Sequence, residues 1–444
     1  MNDDIRESDS QGRLTFYFLV GDWDGLHEMF EQEDWNKIAG VPLLPLYWLQ
    51  LVEKGHQVHI LVTGDFSSEK DYLLEGIHFH RRQIADWLTP GLSVGRNSRP
   101  IRTYIKIGLI VQTLKAFKVM KEVARSYPPD VIYSYRSTFV PAAYLLSRKY
   151  KVPHIVHYWG TWLSHYLFKV PWYKRLPAVS RMLSLKIPMD LLIISNDGTE
   201  GDKAIKKLKF PEERFRFWLD GTAPDIWKPD LDVALVKESV GLKPTDKMIF
   251  QAVRLDFWKR VDRAIEVLPE VLKRVPETYL VVAGDGKLRE DLERQAQQLG
   301  VAEHVKFLGF VPHEKVLDLH NAADLFLTVQ DLTNLGNQIM EALHSGTCVV
   351  AYNIGGTAQV MRDGITGVLI EEKDLSQLGG VIADLLEDDK RRNVLARGAF
   401  EFARKNIWTW DARIDAELKE VNRLVTAYQK KYRLIPKFEE ADKL

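Results

Sequence analysis

In residues 331–346, polar residues follow an apolar run and open a helical pattern. The first N–H groups of an α-helix are unpaired and carry partial positive charge, so the amides near Gly336 and Asn337 suit a diphosphate. Glu341 lies seven residues after Asn334 and four after Asn337, which places all three on one helix face. Its carboxylate could accept hydrogen bonds from two ribose hydroxyls. The alternative is an ordinary capped helix with a solvated glutamate.

A parallel sheet would position such a segment, and the chain contains two series of alternating strand and helix patterns. The first series starts at the apolar run 14–20, which is typical of a buried parallel strand, and continues to the run 191–195. The pattern restarts at 247–253 and ends at 367–370. This alternation predicts an α/β protein with two Rossmann-like domains, each with a parallel sheet, that face each other across a cleft.

The length of 444 residues also favours two domains. We expect a flexible leader over 1–12, an N-terminal domain over 13–215, a linker over 216–246 and a C-terminal domain over 247–405. The linker is placed where several prolines interrupt regular structure.

The composition excludes several classes of protein. With 45% hydrophobic and 27% charged residues, the chain lacks the bias of a disordered or fibrous protein. The single cysteine, Cys348, allows no internal disulfide and suits a reducing compartment. No run of roughly 20 apolar residues is present, and the sequence starts with a polar, acidic segment. We therefore expect a cytoplasmic protein or one at the cytoplasmic face of a membrane.

The zero net charge hides an asymmetry along the chain. Residues 1–80 contain 5 Lys and Arg against 15 Asp and Glu, whereas residues 81–191 contain 19 against 4. Residues 161–187 interleave cations with aromatic rings, a pattern that suits an anionic membrane surface. A solvated basic face is the alternative. Nucleic acid is not expected as a partner, because no nucleic-acid-binding module is recognisable.

Five ordered motifs between Phe250 and Ile370 carry a resemblance. They are Val253-Arg254-Leu255 with Lys259, Val281 to Gly286, Val305 to Gly309, Asn334 to Gly346, and Gly355-Gly356 through Gly367. Together they resemble the donor domain of the family-4 retaining glycosyltransferases of the GT-B fold, also called glycosyl transferases of group 1. The resemblance implies that a C-terminal helix within 406–444 returns to the N-terminal domain.

The resemblance implies a role for each matched residue. Arg254 and Lys259 would hold the donor diphosphate, because fixed cations stabilise charge on the leaving group when no metal is used. Glu341 would bind the ribose, and the backbone at Gly309 and Phe310 would meet the base. The remaining donor-binding positions are Gly40, Asn334, Leu335, Gly336 and Asn337.

Four positions depart from the family pattern. Thr333 replaces the first Glu of E-x7-E, Trp159 replaces a His, Gln359 replaces the Glu after the double glycine, and Val253 replaces a Gly. Three of these changes remove a titratable group near the expected sugar, while the nucleotide contacts remain. His157 is then the remaining catalytic histidine, and Thr333 with Asp331 could replace the lost sugar contacts.

These observations predict metal-independent, retaining transfer of a sugar from a UDP- or GDP-type donor to a glycan, lipid-linked or small-molecule acceptor. No cofactor is expected besides this co-substrate. Retention needs no protein nucleophile, because the leaving phosphate can itself take the acceptor proton. Two alternatives stay open. The protein could be a degenerate, non-catalytic member that binds nucleotide or a partner, or it could be a GT-B epimerase or phosphorylase.

Overall fold

The computed structural model describes most of the chain in two compact units. The described ranges are residues 12–22, 26–38, 43–83, 102–161, 163–174, 178–223, 226–331 and 335–432. The first unit comprises the chain up to Ser195, then Lys203–Trp218, and the chain from Ile414 onward. The second unit comprises Asn196–Asp202 and Leu219–Arg413.

The first unit contains an eight-stranded sheet in the order β3-β4-β2-β1-β5-β6-β7-β8. Its strands are β1 (Thr15–Gly21), β2 (Gln57–Gly64), β3 (Lys70–Leu74), β4 (Ile77–Gln83), β5 (Val131–Ser134), β6 (His154–Tyr158), β7 (Leu191–Ser195) and β8 (Phe215–Trp218). Every residue of β1 is buried, and β1 pairs in parallel with β2 and β5. The prediction of a buried parallel strand at 14–20 is therefore confirmed.

One hairpin in this sheet was not predicted. Strand β3 runs antiparallel to β4, whereas β4 pairs in parallel with β2. The connecting residues Glu75 and Gly76 both have positive φ, 51° and 75°, as a tight two-residue hairpin requires. Strand β3 lies at the sheet edge and is largely exposed, so it lacks the apolar run by which buried strands are recognised.

The helices of the first unit cover the two faces of its sheet. They are α1 (His27–Gln32), α2 (Leu43–Glu53), α3 (Arg102–Val123), α4 (Val140–Tyr150), α5 (Val179–Ser184), α6 (Gly201–Lys207) from Lys203 onward, and α15 (Trp410–Tyr432) from Ile414 onward. Helix α15 contributes Ile414, Leu418, Val421 and Val425 to the core that also contains Trp48. Their spacing of three and four residues puts one apolar stripe of α15 into this core.

The second unit contains a six-stranded, fully parallel sheet in the order β11-β10-β9-β12-β13-β14. Its strands are β9 (Lys247–Ala252), β10 (Thr278–Ala283), β11 (Val305–Gly309), β12 (Leu325–Thr328), β13 (Val349–Tyr352) and β14 (Val368–Ile370). Its helices are α7 (Val233–Glu238), α8 (Val261–Arg274), α9 (Arg289–Gln298), α10 (His313–Ala322), α11 (Asn337–His344), α12 (Thr357–Val360), α13 (Leu378–Glu387) and α14 (Asp389–Asn406).

Two regular elements occupy the range that was expected to be a linker. Strand β8 pairs in parallel with β7, so the first sheet continues to Trp218. Helix α7 starts at Val233, and the Asp232 carboxylate caps it by accepting from the Leu235 N–H at 3.0 Å. Both elements are only four to six residues long, too short for a clear periodic pattern.

None of the helices in the described part of the chain is both long enough and apolar enough to pass through a bilayer. The lone cysteine, Cys348, is buried just before β13, and burial raises the pKa of its thiol to about 12. It therefore packs as a small apolar side chain.

Buried histidines make the stability of the protein sensitive to acid. Burial, and then the charges of His78 and His80, lower the pKa of His59 to about 3. Burial lowers the pKa of His154 to about 3 and that of His320 to about 4. Unfolded histidines bind protons below about pH 6.5, whereas these three stay neutral in the folded state, so acid favours unfolding.

We expect the free energy of unfolding to fall by roughly 2 kcal/mol per buried histidine between about pH 7.5 and about pH 5. Urea unfolding at both pH values measures this difference. His59→Phe should reduce the difference by about one histidine's share, whatever it does to stability at about pH 7.5. An unchanged pH difference in His59→Phe would contradict the assignment.

Candidate functional site

The second sheet reverses its strand order between β9 and β12. On one side of this reversal lie β10 and β11, and on the other side lie β13 and β14. Open α/β sheets bind ligands outside the carboxyl ends of their strands at such a reversal. The loop after β9 carries Arg254 and Lys259, and the loop after β12 carries Gln330 and Asp331. The two predicted diphosphate ligands thus lie where this type of sheet binds its ligands.

Lys259 is a cation whose hydrogen-bond partner is neutral. Its Nζ donates to Oε1 of Gln330 at 2.7 Å, which ties the loop after β9 to the loop after β12. The ammonium also lies 4.1 Å from the centroid of the Trp258 ring. Burial, and then the charge of Arg254, lower the pKa of Lys259 to about 8. A bound diphosphate would stabilise the charged form of this lysine.

Arg254 is the more accessible of the two cations. Its side chain is 66% exposed, and its Nε lies 3.6 Å from a carboxylate oxygen of Asp256. Exposed ion pairs of this length contribute little, so the guanidinium can turn to an anionic ligand at low cost. Because the charge of Arg254 acts on the pKa of Lys259, both cations belong to one neighbourhood.

Two glycines brace the loop that carries these cations. Gly284 has φ of 140°, and a Cβ there would overlap the carbonyl oxygen of Val253. A Cβ on Gly286 would likewise collide with the carbonyl of Leu255, whose N–H donates to the Asp285 carbonyl at 3.0 Å. The loops after β9 and β10 therefore pack backbone against backbone, which fixes the position of Arg254.

Asp331 is paired with two arginines of the second unit. Its carboxylate accepts from Arg260 Nη1 at 3.0 and 3.1 Å and lies 2.7 Å from Arg263 Nη2. Arg263 also donates to the Val329 carbonyl at 2.8 Å. Through these contacts Asp331 ties the loop after β12 to the start of α8, and its contact with the sugar stays a prediction.

The segment after Asp331 leads into helix α11. Thr333 and Asn334 lie outside the described residues, so their predicted contacts cannot be placed. Leu335 is buried, and Gly336 precedes the helix without a side chain that could cap it. Helix α11 begins at Asn337, so the predicted helix face contains Asn337 and Glu341 at positions i and i+4.

Glu341 is a buried carboxylate with a histidine partner, not a solvated glutamate. The residue is 1% exposed, and its Oε1 lies 2.9 Å from Nε2 of His313 at the start of α10. His320 Nε2 approaches the other oxygen at 3.9 Å. Burial disfavours charge on His313, but the hydrogen bond to Glu341 and its charge outweigh burial and raise the pKa of His313. The ring of His313 is 26% exposed, so it separates the carboxylate from solvent.

The predicted base-contacting residues lie at the end of β11. Gly309 has φ of 70°, and its carbonyl accepts from the Gly284 N–H at 2.7 Å. Phe310 follows with 68% of its surface exposed. An exposed aromatic ring can stack on a base, and this contact stays a prediction for Phe310.

Gln359 is held by a neighbour that the sequence did not suggest. Asn196 Nδ2 donates to its Oε1 at 2.6 Å. Gly356 approaches Gly198 and the Leu335 side chain so closely that a Cβ would overlap Leu335. The side-chain oxygen of Gln359 is thus already hydrogen-bonded.

His157 lies inside the first unit. It is 3% exposed, its Nε2 lies 3.4 Å from Ser195 Oγ, and its Nδ1 lies 3.7 Å from a Glu417 oxygen. Trp159 covers its ring at a centroid distance of 4.6 Å. His157 is thus buried and packed against Trp159, and its catalytic role stays a prediction. Gly40 lies outside the described residues.

Sequence reasoning missed several residues that hold the site together, among them Asn196, Arg260, Arg263, His313 and Gln330. A weak signal existed for Arg260 and Arg263, because a basic run continues from Lys259 into a helix start. No local pattern links His313 to Glu341, which lies 28 residues later in the sequence.

Two family models match the chain. The model described as "Glycosyl transferases group 1" matches residues 233–402, which lie in the second unit. The model described as "Glycosyl transferase 4-like domain" matches residues 47–187, which lie in the first unit.

Two relatives illustrate the sequence similarity. A GDP-mannose-dependent alpha-(1-6)-phosphatidylinositol monomannoside mannosyltransferase of Mycolicibacterium smegmatis is 34% identical over 201 residues. That match covers 44% of this chain and 52% of the mannosyltransferase, so the chain spans about half of that relative. A D-inositol 3-phosphate glycosyltransferase of Thermobispora bispora is 26% identical over 410 residues, covering 84% of this chain and 93% of the relative.

The fold resembles that of solved glycosyltransferases. The structure of Anabaena HepE in complex with UDP and glucose aligns with a TM-score of 0.66 at 18% identity. The alignment covers 93% of this chain and all of HepE. This likeness confirms the predicted GT-B fold class.

Proposed function

The chain belongs to the group 1 glycosyltransferases, and from this premise we propose that it transfers a sugar from a nucleoside diphosphate sugar to an acceptor, with retention and without a metal ion. The observation that carries the proposal is the pair Arg254 and Lys259 on the loop after β9, beside the strand-order reversal of the second sheet. Fixed cations there would stabilise the charge that develops on the leaving diphosphate.

The donor would lie over the carboxyl edge of the second sheet. Its diphosphate would meet Arg254, Lys259 and the first amides of α11, its ribose would meet Glu341, and its base would meet Gly309 and Phe310. The partial positive charge at the start of α11 adds to that of the two side chains. Asn334, Leu335 and Asn337 would complete the diphosphate contacts, and Thr333 would face the sugar.

The nucleotides to test first as part of the sugar donor are GDP and UDP. A relative's name specifies GDP-mannose, and a solved neighbour was crystallised with UDP and glucose. We propose that one of these two bases is the one recognised. Phe310 alone does not discriminate, because every base has a face on which an aromatic ring can stack.

The acceptor would bind the first unit. Trp159 is half-buried at the carboxyl end of β6 and stacks with His157 and Tyr135. Such an aromatic surface suits the ring of a sugar or cyclic polyol acceptor. We further propose that the protein works in the cytoplasm, with the basic stretch 81–191 towards an anionic membrane leaflet.

The experiment is a panel of UDP- and GDP-sugars incubated with candidate acceptors, in which release of the nucleoside diphosphate is followed with and without a chelator. We expect release with one donor, undiminished by the chelator because the cations replace a metal. NMR of the product gives the anomeric configuration. Loss of activity with chelator, restored by a divalent metal, would overturn metal independence, and an inverted product would overturn retention.

One observation favours the degenerate alternative. Glu341 and Gln359 both have their oxygens engaged by protein partners, His313 and Asn196. Tight nucleotide binding in a thermal-shift assay, without release from any donor, would support a non-catalytic nucleotide-binding protein.

A further inference from the structure

A pocket of about 580 Å³ lies in the first unit between α5 and the segment that follows α6. Ten apolar residues line it, among them Val179 and Leu183, together with three cations, Lys186, Lys209 and Arg214. Its volume is in the range of small-molecule sites, which are likewise mostly apolar with a few polar groups.

The charges of this pocket have one sign. Lys186, Lys209 and Arg214 are exposed residues, so they lie at its solvent side. Among the described residues that line the pocket, none is acidic. An apolar interior beside three cations suits a ligand with an apolar tail and an anionic head.

The apolar wall is also open to solvent. Leu183 is 55% exposed and Val179 is 37% exposed, although both line the pocket. Large accessible apolar surface of this kind marks sites that bind a partner or a lipid.

Exposed aromatic rings belong to the same local structure. Met182, Leu185 and Leu208 line the pocket, and they pack against the same buried cluster as Tyr166 and Leu167 of the preceding segment. That segment exposes Phe168 by 52%, Trp172 by 80% and Tyr173 by 60%. Tryptophan and tyrosine rings concentrate where protein meets lipid headgroups, because they are apolar with a polar edge.

We propose that this pocket takes an acyl chain of an anionic phospholipid while Lys186, Lys209 and Arg214 bind the headgroup. This proposal rests on the proposed membrane association and adds two features to it. One is a pocket for the acyl chain, and the other is a pair of cations, Lys209 and Arg214, that lie outside the basic stretch 81–191. The aromatic rings of residues 168–173 would lie in the headgroup layer beside it.

The first experiment reverses the pocket charges. Wild-type protein should float with vesicles of phosphatidylcholine and phosphatidylglycerol, but not with phosphatidylcholine alone. The partition coefficient of the triple variant Lys186→Glu, Lys209→Glu, Arg214→Glu onto these anionic vesicles should be at least about 100-fold lower than that of wild type. The reason is that each cation near an anionic surface raises the partition coefficient by roughly a factor of five. Lys390→Glu, Arg391→Glu, Lys405→Glu on α14 is the control with the same charge change.

The second experiment separates chain binding from general electrostatic attraction. Leu183→Asp puts a charge into the pocket, and Leu145→Asp puts the same charge at another exposed leucine of this unit, on α4. Monomeric short-chain phosphatidylglycerol should bind wild type and Leu145→Asp, but bind Leu183→Asp at least about 10-fold more weakly. Glycerol phosphate, which has the headgroup charge without chains, should bind none of them detectably. Melting temperatures identify any variant that fails to fold.

The possible results distinguish the pocket from general membrane association. If wild type floats with anionic vesicles but Leu183→Asp and Leu145→Asp bind short-chain lipid equally, membrane association stands and the pocket is wrong. If the two triple variants lose equally, the pocket cations have no special role and the proposal also fails. If wild type binds neither vesicles nor short-chain lipid, both lipid proposals fall, while nucleoside diphosphate release still decides the transferase proposal.

Discussion

Replacing Lys259 by alanine lowers kcat/KM for sugar transfer by about 10²- to 10³-fold, the effect of removing one preorganised group that stabilises developing negative charge. Lys259 is the half-buried cation of the site, and its hydrogen-bond partner, Gln330, cannot neutralise it. Steady-state kinetics with the donor found in the panel measure the loss. Lys273→Ala, at an exposed position of α8, is the control and should leave kcat/KM unchanged.

The pH profile gives a sharper test of the same residue. With the pKa of Lys259 at about 8, the free protein loses this charge as the pH rises past about 8, so kcat/KM should fall there. Lys259→Arg keeps the charge at every accessible pH, so the alkaline fall should disappear even if the rate is lower throughout. An alkaline fall that persists unchanged in Lys259→Arg would assign it to another group.

The sheet framework could be predicted from the sequence because its strands are buried on both faces. The run 14–20 and the restart at 247–253 are nearly continuous apolar stretches, and both are parallel strands in the structure. Strand β3 and helix α7 could not be predicted in this way. Strand β3 is an exposed edge strand and therefore lacks an apolar run. Helix α7 has only six residues, too few to show a helical repeat of apolar residues.

The cations of the candidate site could also be located from the sequence, but their partners could not. Arg254 and Lys259 follow a recognisable strand, so their position at its carboxyl end was predictable. The hydrogen bond from Lys259 to Gln330 joins residues 71 positions apart, and no spacing rule relates the ends of neighbouring parallel strands. The same holds for Asp331, because its ion pairs with Arg260 and Arg263 could not be predicted from the sequence.

Helix α11 illustrates a second limit. Periodicity placed Asn337 and Glu341 on one face, which the helix bounds support. Periodicity gives a face but not what covers it, and this face is covered by His313 on α10. The carboxylate predicted to bind the ribose is therefore only 1% exposed, and the donor would have to exchange places with His313 or bind beside it.

Glu341→Ala weakens binding of the nucleoside diphosphate by about 30-fold, or about 2 kcal/mol, within the range for hydrogen bonds to a charged group. The physical reason is that the carboxylate, once released by His313 or shared with it, accepts from the ribose hydroxyls. Isothermal titration with the nucleotide and with its 2′-deoxy analogue measures the contact directly. Wild type should prefer the ribonucleotide by about 10-fold, and Glu341→Ala should lose that preference.

The comparison of the two nucleotides separates the ribose contact from a structural effect. Removing Glu341 leaves His313 and the buried His320 without their carboxylate, so some loss of stability is expected in addition. His313→Phe then decides how the pair works. If the ribose replaces His313, this variant should bind the ribonucleotide at least as tightly as wild type, because no imidazole then competes for the carboxylate. If the 2′-deoxy preference is unchanged in Glu341→Ala, Glu341 is not the ribose ligand, and its bond to His313 serves only to hold α10 against α11.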